Sequence, residues 1–177
     1  MVRSPKVTEP NYVLMRDTMQ GEKLLPSWWY QWLNTKAESV TPIANGLRAR
    51  FPDKIMVDIL FLHEKGVRAQ VKNGEFQAFG GEDYCQIKLS RPAGKDYFVL
   101  FYPYKEGEAA PKKAELLAPG VARVVTPVSE DYLFASTDEP VSWDSDTVSL
   151  EGYAGMVRVK GNRAELINAS SQTATLR

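Results

Sequence analysis

The chain has 177 residues, which suits one domain with a sizeable buried core. Apolar residues make up 44% and charged residues 25% of it, as in an ordinary globular protein. Lys plus Arg and Asp plus Glu each number 22, so the formal net charge is zero. Because nucleic-acid binders usually carry a basic excess, no nucleic-acid partner is expected.

Short runs rich in β-branched and aromatic residues recur between Pro, Gly, Asn and Asp, which predicts an all-β, antiparallel β-sandwich with little helix. One helical turn is expected over 112–117, because 12 Gly and 11 Pro interrupt any longer run. Asn45-Gly46, Asn73-Gly74 and Gly161-Asn162 are hairpin signals. The predicted strands are 12–16, 28–33, 47–51, 55–62, 67–71, 76–79, 84–89, 97–102, 121–126, 132–136, 148–150, 156–160 and 164–167.

Two of these runs are predicted to lie in the centre of a sheet. The run 97–102 is apolar throughout, and 55–62 carries apolar residues on both of its alternating faces. Such strands are covered on both sides. No linker or repeat divides the chain, so 1–177 is predicted to be a single domain.

Few side chains have the character of a catalytic or metal site. One Cys and one His cannot build a zinc centre, and no cofactor or metal is expected. Cys85 alternates with polar neighbours and is predicted to be a small buried residue, while His63 is predicted at the surface. Asp58 stands in an apolar strand, where we expect it to pair with a basic residue or face solvent rather than act as a catalytic acid.

A group of acids could in principle hold calcium, although clustered acids in a loop are more often simply solvated. Its members are Asp138, Glu139, Asp144 and Asp146, with Trp143 among them.

The aromatic residues near the start of the chain are more informative. Trp28, Tyr30 and Trp32 would share one face of a strand, and Trp29 would share the other with Leu33. On an exposed sheet these three rings would form a platform on which sugar rings stack, and Trp143 is a further stacking candidate. The alternative, which we favour from the sequence, is that the row fills the core, where large aromatic side chains are common.

No apolar run reaches the roughly 18 residues that a membrane span requires, so no span is expected. The first residues lack the apolar segment of a signal peptide, so the signal of an exported protein would have to lie upstream of this chain.

The order of the predicted strands resembles the C-terminal β-sandwich region of heparinase II/III-like polysaccharide lyases. The likeness covers most of the chain, and its motifs are moderately specific. The segments that carry it are Tyr-Val-Leu-Met-Arg-Asp-Thr at 12–18, Trp-Leu-Asn-Thr at 32–35, the strand 55–62, the apolar run with its Pro at 96–104, the charged loop 105–111, and the closing hairpins 148–152 and 156–160.

This resemblance implies a supersandwich-like fold and a secreted or periplasmic location. It also implies that the chain is part of a larger protein whose catalytic domain would be a partner. In the family, a Tyr or His takes a proton from a uronic acid, with catalytic residues supplied by a helical domain and by earlier strands. The chain lacks those helices and a His cluster, and no catalytic residue is carried over.

Three hypotheses follow. The first is a non-catalytic C-terminal domain that supports a lyase-like enzyme and contacts glycan, and the second is an independent carbohydrate-binding module for a polysaccharide, which could be acidic. The third is a self-contained enzyme, which would need a cleft where an acid or tyrosine lies beside His63 or arginines. A solvated aromatic row favours binding and a buried one favours a structural role, while a patch left open by missing strands could pair two copies as a homodimer.

Overall fold

The computed structural model describes residues 2–3, 12–18, 26–62, 68–73, 84–111, 113–136, 138–170 and 174–176. Their regular structure is antiparallel β, apart from short 310 turns at Ala37–Ser39 and Pro52–Lys54, so the predicted all-β class is confirmed. The strands are β1 (Val2–Arg3), β2 (Val13–Asp17), β3 (Ser27–Leu33), β4 (Val40–Ile43), β5 (Gly46–Arg50), β6 (Ile55–Phe61), β7 (Arg68–Asn73), β8 (Cys85–Arg91), β9 (Tyr97–Lys105), β10 (Lys113–Ala118), β11 (Val121–Val125), β12 (Glu130–Ala135), β13 (Val141–Asp144), β14 (Ser149–Gly152), β15 (Ala154–Lys160), β16 (Arg163–Asn168) and β17 (Thr175–Leu176).

The largest sheet has six strands in the order β1-β2-β9-β6-β5-β4. β9 and β6 lie at its centre and are covered on both faces, as their apolar sequences predict. The predicted Asn45-Gly46 turn joins β4 to β5. A Cβ on Gly46 would lie 2.0 Å from the carbonyl oxygen of Ile59, so this close approach of two strands requires glycine.

The second large sheet has five strands in the order β10-β11-β12-β15-β16, and the predicted Gly161-Asn162 turn joins the last two. The helical turn expected over 112–117 is wrong, because Lys113–Ala118 forms β10 and pairs with β11. As a strand, this segment pairs its backbone N–H and C=O groups with those of β11. A single isolated helical turn would form few backbone hydrogen bonds for the residues that it fixes. Leu116 packs into the apolar core on one face of the five-stranded sheet. The strand register shifts after it, and Leu117 and Ala118 pack into the core on the other face.

Two three-stranded sheets complete the fold. We call the first, in the order β3-β8-β7, the tryptophan sheet, and the second, in the order β13-β14-β17, the C-terminal sheet. β4 and β13 were not predicted from the sequence. Some predicted features lie outside the described residues. They are the strand 76–79, His63 and the Gly74 half of the Asn73-Gly74 turn.

Three apolar cores join the four sheets face to face. One lies between the tryptophan sheet and the six-stranded sheet and includes Ile87 and Ile59. The next joins the six-stranded and five-stranded sheets, and the third joins the five-stranded and C-terminal sheets. The sheets are therefore stacked, with the tryptophan sheet and the C-terminal sheet as the outer layers.

A buried ion pair stands inside the core between the two large sheets. Arg158 donates through Nε and Nη2 to the carboxylate of Asp131 at 2.9 and 2.6 Å, and the hydroxyl of Tyr12, the residue before β2, donates to the same carboxylate. Burial, followed by the charge of Asp131, raises the pKa of Tyr12 well above its ordinary value. The ion pair joins neighbouring strands of the five-stranded sheet, and the Tyr12 hydroxyl links it to the six-stranded sheet.

Candidate functional site

The aromatic residues of β3 lie on the outside of the stack. Trp28, Tyr30 and Trp32 are 56%, 47% and 38% exposed, whereas Trp29 and Leu33 are each 7% exposed. We call the three exposed residues the aromatic row. The interpretation that this row fills the core is therefore wrong, and the sequence-based alternative of an exposed platform describes its position.

Packing on the inner side explains this orientation. Trp29 faces the six-stranded sheet, with its ring centroid 6.1 Å from that of Phe101. On the neighbouring strand β8, Cys85, Ile87 and Leu89 are fully buried on the same side. The inner face of the tryptophan sheet thus carries the apolar half of both strands. Its outer face has no described sheet over it, and the aromatic row remains in contact with solvent.

Polar residues of β8 stand directly beside the aromatic row. Because facing residues of an antiparallel pair lie on the same side of the sheet, each ring has one polar neighbour across the strand boundary. The pairs are Trp28 with Ser90, Tyr30 with Lys88, and Trp32 with Gln86. On the next strand, β7, Gln70 faces Lys88 and Lys72 faces Gln86. Sequence reasoning missed these polar residues, because only the strand register shows which of them meet the rings.

Lys88 lies between the first two rings. Its Nζ is 5.0 Å from the ring centroid of Trp28 and 5.6 Å from that of Tyr30, within reach of cation–π attraction to both. At an exposed site each contact of this kind contributes about 0.5–1 kcal/mol. The ammonium group is therefore held over the row, and a negatively charged group resting on the rings would meet it.

Trp143, the fourth stacking candidate, does not join the aromatic row. It lies on β13 in the C-terminal sheet, at the opposite side of the stack, and packs partly buried against the third core. Its indole Nε1 is buried without a hydrogen-bond partner among the described residues. Its ring face is thus committed to packing, unlike the rings of the row.

One candidate for a catalytic group is a tyrosine beside an ion pair. Asp58 pairs with Arg48 through contacts of 2.6 and 2.8 Å, so of the two expected settings it has the one with a basic partner. It also accepts a hydrogen bond from the Tyr104 hydroxyl at 3.1 Å. Burial, followed by the charge of Asp58, raises the pKa of Tyr104 to about 12. A phenol that holds its proton so firmly is a poor general base near neutral pH.

Cys85 and the acidic group have ordinary settings. Cys85 is buried, as predicted, and burial raises the pKa of its thiol, which disfavours the nucleophilic thiolate. In the described part of the chain, no three His, Cys, Asp or Glu side chains gather into a group able to hold a metal ion. The members of the acidic group are all exposed; they are Asp138, Glu139, Asp144 and Asp146.

Comparison with known proteins yields no match to a protein-family model, a curated protein or a solved structure. Within the described ranges, no helix has the length and apolar character that crossing a membrane would take.

Proposed function

We propose that this chain is a non-catalytic β-sandwich domain that binds polysaccharide on the outer face of the tryptophan sheet. The observation that carries the proposal is the exposure of Trp28, Tyr30 and Trp32 together on one strand. Soluble proteins rarely leave contiguous large apolar side chains in water unless the patch meets a partner. Sugar rings present apolar C–H faces that stack on aromatic rings, and their hydroxyls need polar groups close by.

The polar groups needed for such a ligand are in place. Ser90 and Gln86 face the outer rings of the row and offer a hydroxyl and an amide, which both donate and accept hydrogen bonds. Lys88 adds a positive charge at the centre, and Lys72 adds another on β7. No acidic residue stands among the described outward positions of β3, β8 and β7 that face one another. The face therefore favours an acidic polysaccharide over a neutral one.

Two other partners could use aromatic rings beside lysines. Single-stranded nucleic acid stacks its bases on such rings, but it is normally drawn in by a strongly basic groove, and this chain has no net charge. A second copy of the chain could cover the row instead, forming a homodimer. We favour polysaccharide because every ring has a polar side chain directly beside it, an arrangement suited to a ligand rich in hydroxyls.

The larger setting of the domain is part of the same proposal. The likeness of its segments to the C-terminal sandwich region of heparinase II/III-like lyases supports a role beside the catalytic domain of a secreted or periplasmic enzyme. There the tryptophan sheet would hold the polymer that the catalytic domain cleaves.

The test is titration calorimetry of the chain against polygalacturonate, heparin, neutral xylan and a single-stranded thymidine oligonucleotide. We expect saturable binding to at least one acidic polysaccharide, and about five- to tenfold weaker binding by each of the variants Trp28→Ala and Trp32→Ala. Trp143→Phe is the matched control, since it alters a tryptophan outside the row, and it should bind normally. Ultraviolet absorbance of unsaturated sugar products should not increase.

Three results would contradict the proposal. Product formation would make the chain an enzyme, and tighter binding to the oligonucleotide than to any glycan would identify a different partner. Sedimentation showing a homodimer that Trp28→Ala converts to a monomer would assign the row to self-association.

A further inference from the structure

We infer that the ligand is an extended chain of at least three sugar units that lies along β3, with its charged unit at the Trp28–Tyr30 end. This inference rests on the proposed function and adds the length, direction and polarity of the bound chain. Its basis is the repeated pairing of one ring with one polar side chain at three successive outward positions of a strand.

The spacing sets the length. Outward positions of a strand are about 6.6–6.8 Å apart, so the three rings span roughly 13 Å along β3. The facing residues of β8 run parallel to them at the inter-strand distance of about 4.8 Å. The face therefore has a row of aromatic side chains on β3 and, beside it, a row of polar side chains on β8. A polymer lying along β3 would contact both rows.

The openness of the face sets the kind of contact. Small ligands are normally held in concave pockets that cover most of their surface. Two clefts among the described residues lie away from the aromatic row, one lined by Arg16 and Asp96 and the other by Asn45 and Leu117. One sugar on this flat strip would lose little of its surface to the protein. Affinity must therefore accumulate over successive rings, along the flank of a chain rather than at its end.

The two ends of the strip differ. The Lys88 ammonium is over Trp28 and Tyr30, whereas Trp32 faces Gln86. A carboxylate or sulfate on the ligand therefore meets its counter-charge at the Trp28–Tyr30 end. The Trp32 end offers stacking and the Gln86 amide, and the outward cation nearest to it, Lys72, stands one strand further from the rings, on β7.

The experiment measures dissociation constants of oligogalacturonates with two, three, four and six units, together with the polymer, at low and high salt. Wild-type affinity should rise about five- to tenfold for each unit that covers a further ring and level off once all three are covered. Trp32→Ala should abolish the last increase of affinity with oligomer length and should leave the salt dependence of binding unchanged. Trp28→Ala should remove a rise and also reduce the salt dependence, because Lys88 loses the ring that holds it.

The outcomes separate the inference from the proposed function. Equal affinity for the shortest and the longest oligomers, with the polymer still bound through the row, overturns the extended-chain inference and leaves polysaccharide binding standing. Equal losses of salt dependence in the two variants overturn the assignment of charge to one end. If none of the polysaccharides in the earlier panel binds, the proposed function fails and this inference fails with it.

Discussion

The tryptophan sheet and the C-terminal sheet occupy equivalent places in the stack but present opposite surfaces. Each has three strands, packs one face against a larger sheet and leaves its other face outermost. In the C-terminal sheet, Trp143 and Leu150 point inward. The outward residues of that sheet are polar or acidic; they are Ser142, Asp144, Ser149, Glu151 and Thr175. In the tryptophan sheet, three aromatic rings and Lys88 point outward.

The difference shows that the architecture does not require exposed aromatic residues. The same layout is built at the C-terminal sheet with its tryptophan inside and its acids outside, which is the ordinary arrangement for a solvated sheet face. Exposure of the aromatic row is thus a local property of β3. Since it adds no packing to the described core, contact with a partner is its most direct explanation.

The largest expected effect separates the two faces of β3 itself. Trp29→Ala should lower the free energy of unfolding by about 3–5 kcal/mol, because it leaves a cavity against Phe101. Trp28→Ala should change it by less than about 1 kcal/mol, since an exposed side chain loses few contacts. Urea unfolding followed by circular dichroism measures both values. Equal losses for the two variants would show that the row is packed like a core.

The second prediction compares the two outer faces as binding surfaces. Trp28→Ala combined with Trp32→Ala should weaken binding to the preferred acidic polysaccharide by at least thirtyfold, about 2 kcal/mol, because it removes two of the three rings. The control is Ser142→Ala combined with Glu151→Ala on the C-terminal sheet, which should bind as the wild type does. Affinity gel electrophoresis can compare them, and a comparable loss in the control would show that binding is not confined to the tryptophan sheet.

The alternation of β3 could be predicted from its sequence, but the choice of face could not. Trp28, Tyr30 and Trp32 form one face and Trp29 and Leu33 the other, and both sets are apolar enough to be buried. The strand β8 settles the question, because Ile87 and Leu89 alternate there with Gln86, Lys88 and Ser90. Only the register of β3 with β8 shows that the aromatic row shares its side with the polar set.

Other differences have similar causes. Central strands such as 97–102 were predicted correctly, because burial on both faces leaves a continuous apolar run that depends little on the partner. β4 contains Pro42 and β13 has only four residues, so neither has a strong strand pattern of its own. The composition of Lys113–Ala118 predicts a helical turn in place of β10, because the pairing with β11 is a feature of the tertiary structure.

A third, smaller effect tests the charge over the row. Lys88→Gln should weaken binding to an acidic polysaccharide by about two- to fivefold at low salt and make binding less sensitive to salt, because one exposed cation contributes up to about 1 kcal/mol. Binding to neutral xylan should be unaffected. Lys105→Gln is the matched control, an exposed lysine on β9 in the six-stranded sheet. If both variants behave alike, Lys88 has no special role.

The smallest effect concerns the inside of the stack and should leave its outer faces unchanged. The pKa of Tyr104 is raised to about 12 in the folded chain, from an ordinary value of about 10. The folded state therefore holds this proton longer than the unfolded state, and the resulting stabilisation, present below pH 10, is lost as the pH rises toward 12. Tyr104→Phe should give a shallower decline of stability over that range in alkaline unfolding curves. An unchanged slope would contradict the assignment.

The central claim, that the aromatic row is open in the free protein and covered by polysaccharide, is tested most directly by acrylamide quenching of tryptophan fluorescence. The free chain should show an accessible class of tryptophan formed by Trp28 and Trp32, beside a protected Trp29 and a partly buried Trp143. Saturation with the acidic polysaccharide should remove the accessible class, and the Trp28→Ala, Trp32→Ala double variant should lack it from the start. A bound polysaccharide that leaves the accessible class unchanged, or a free chain without such a class, would contradict the account.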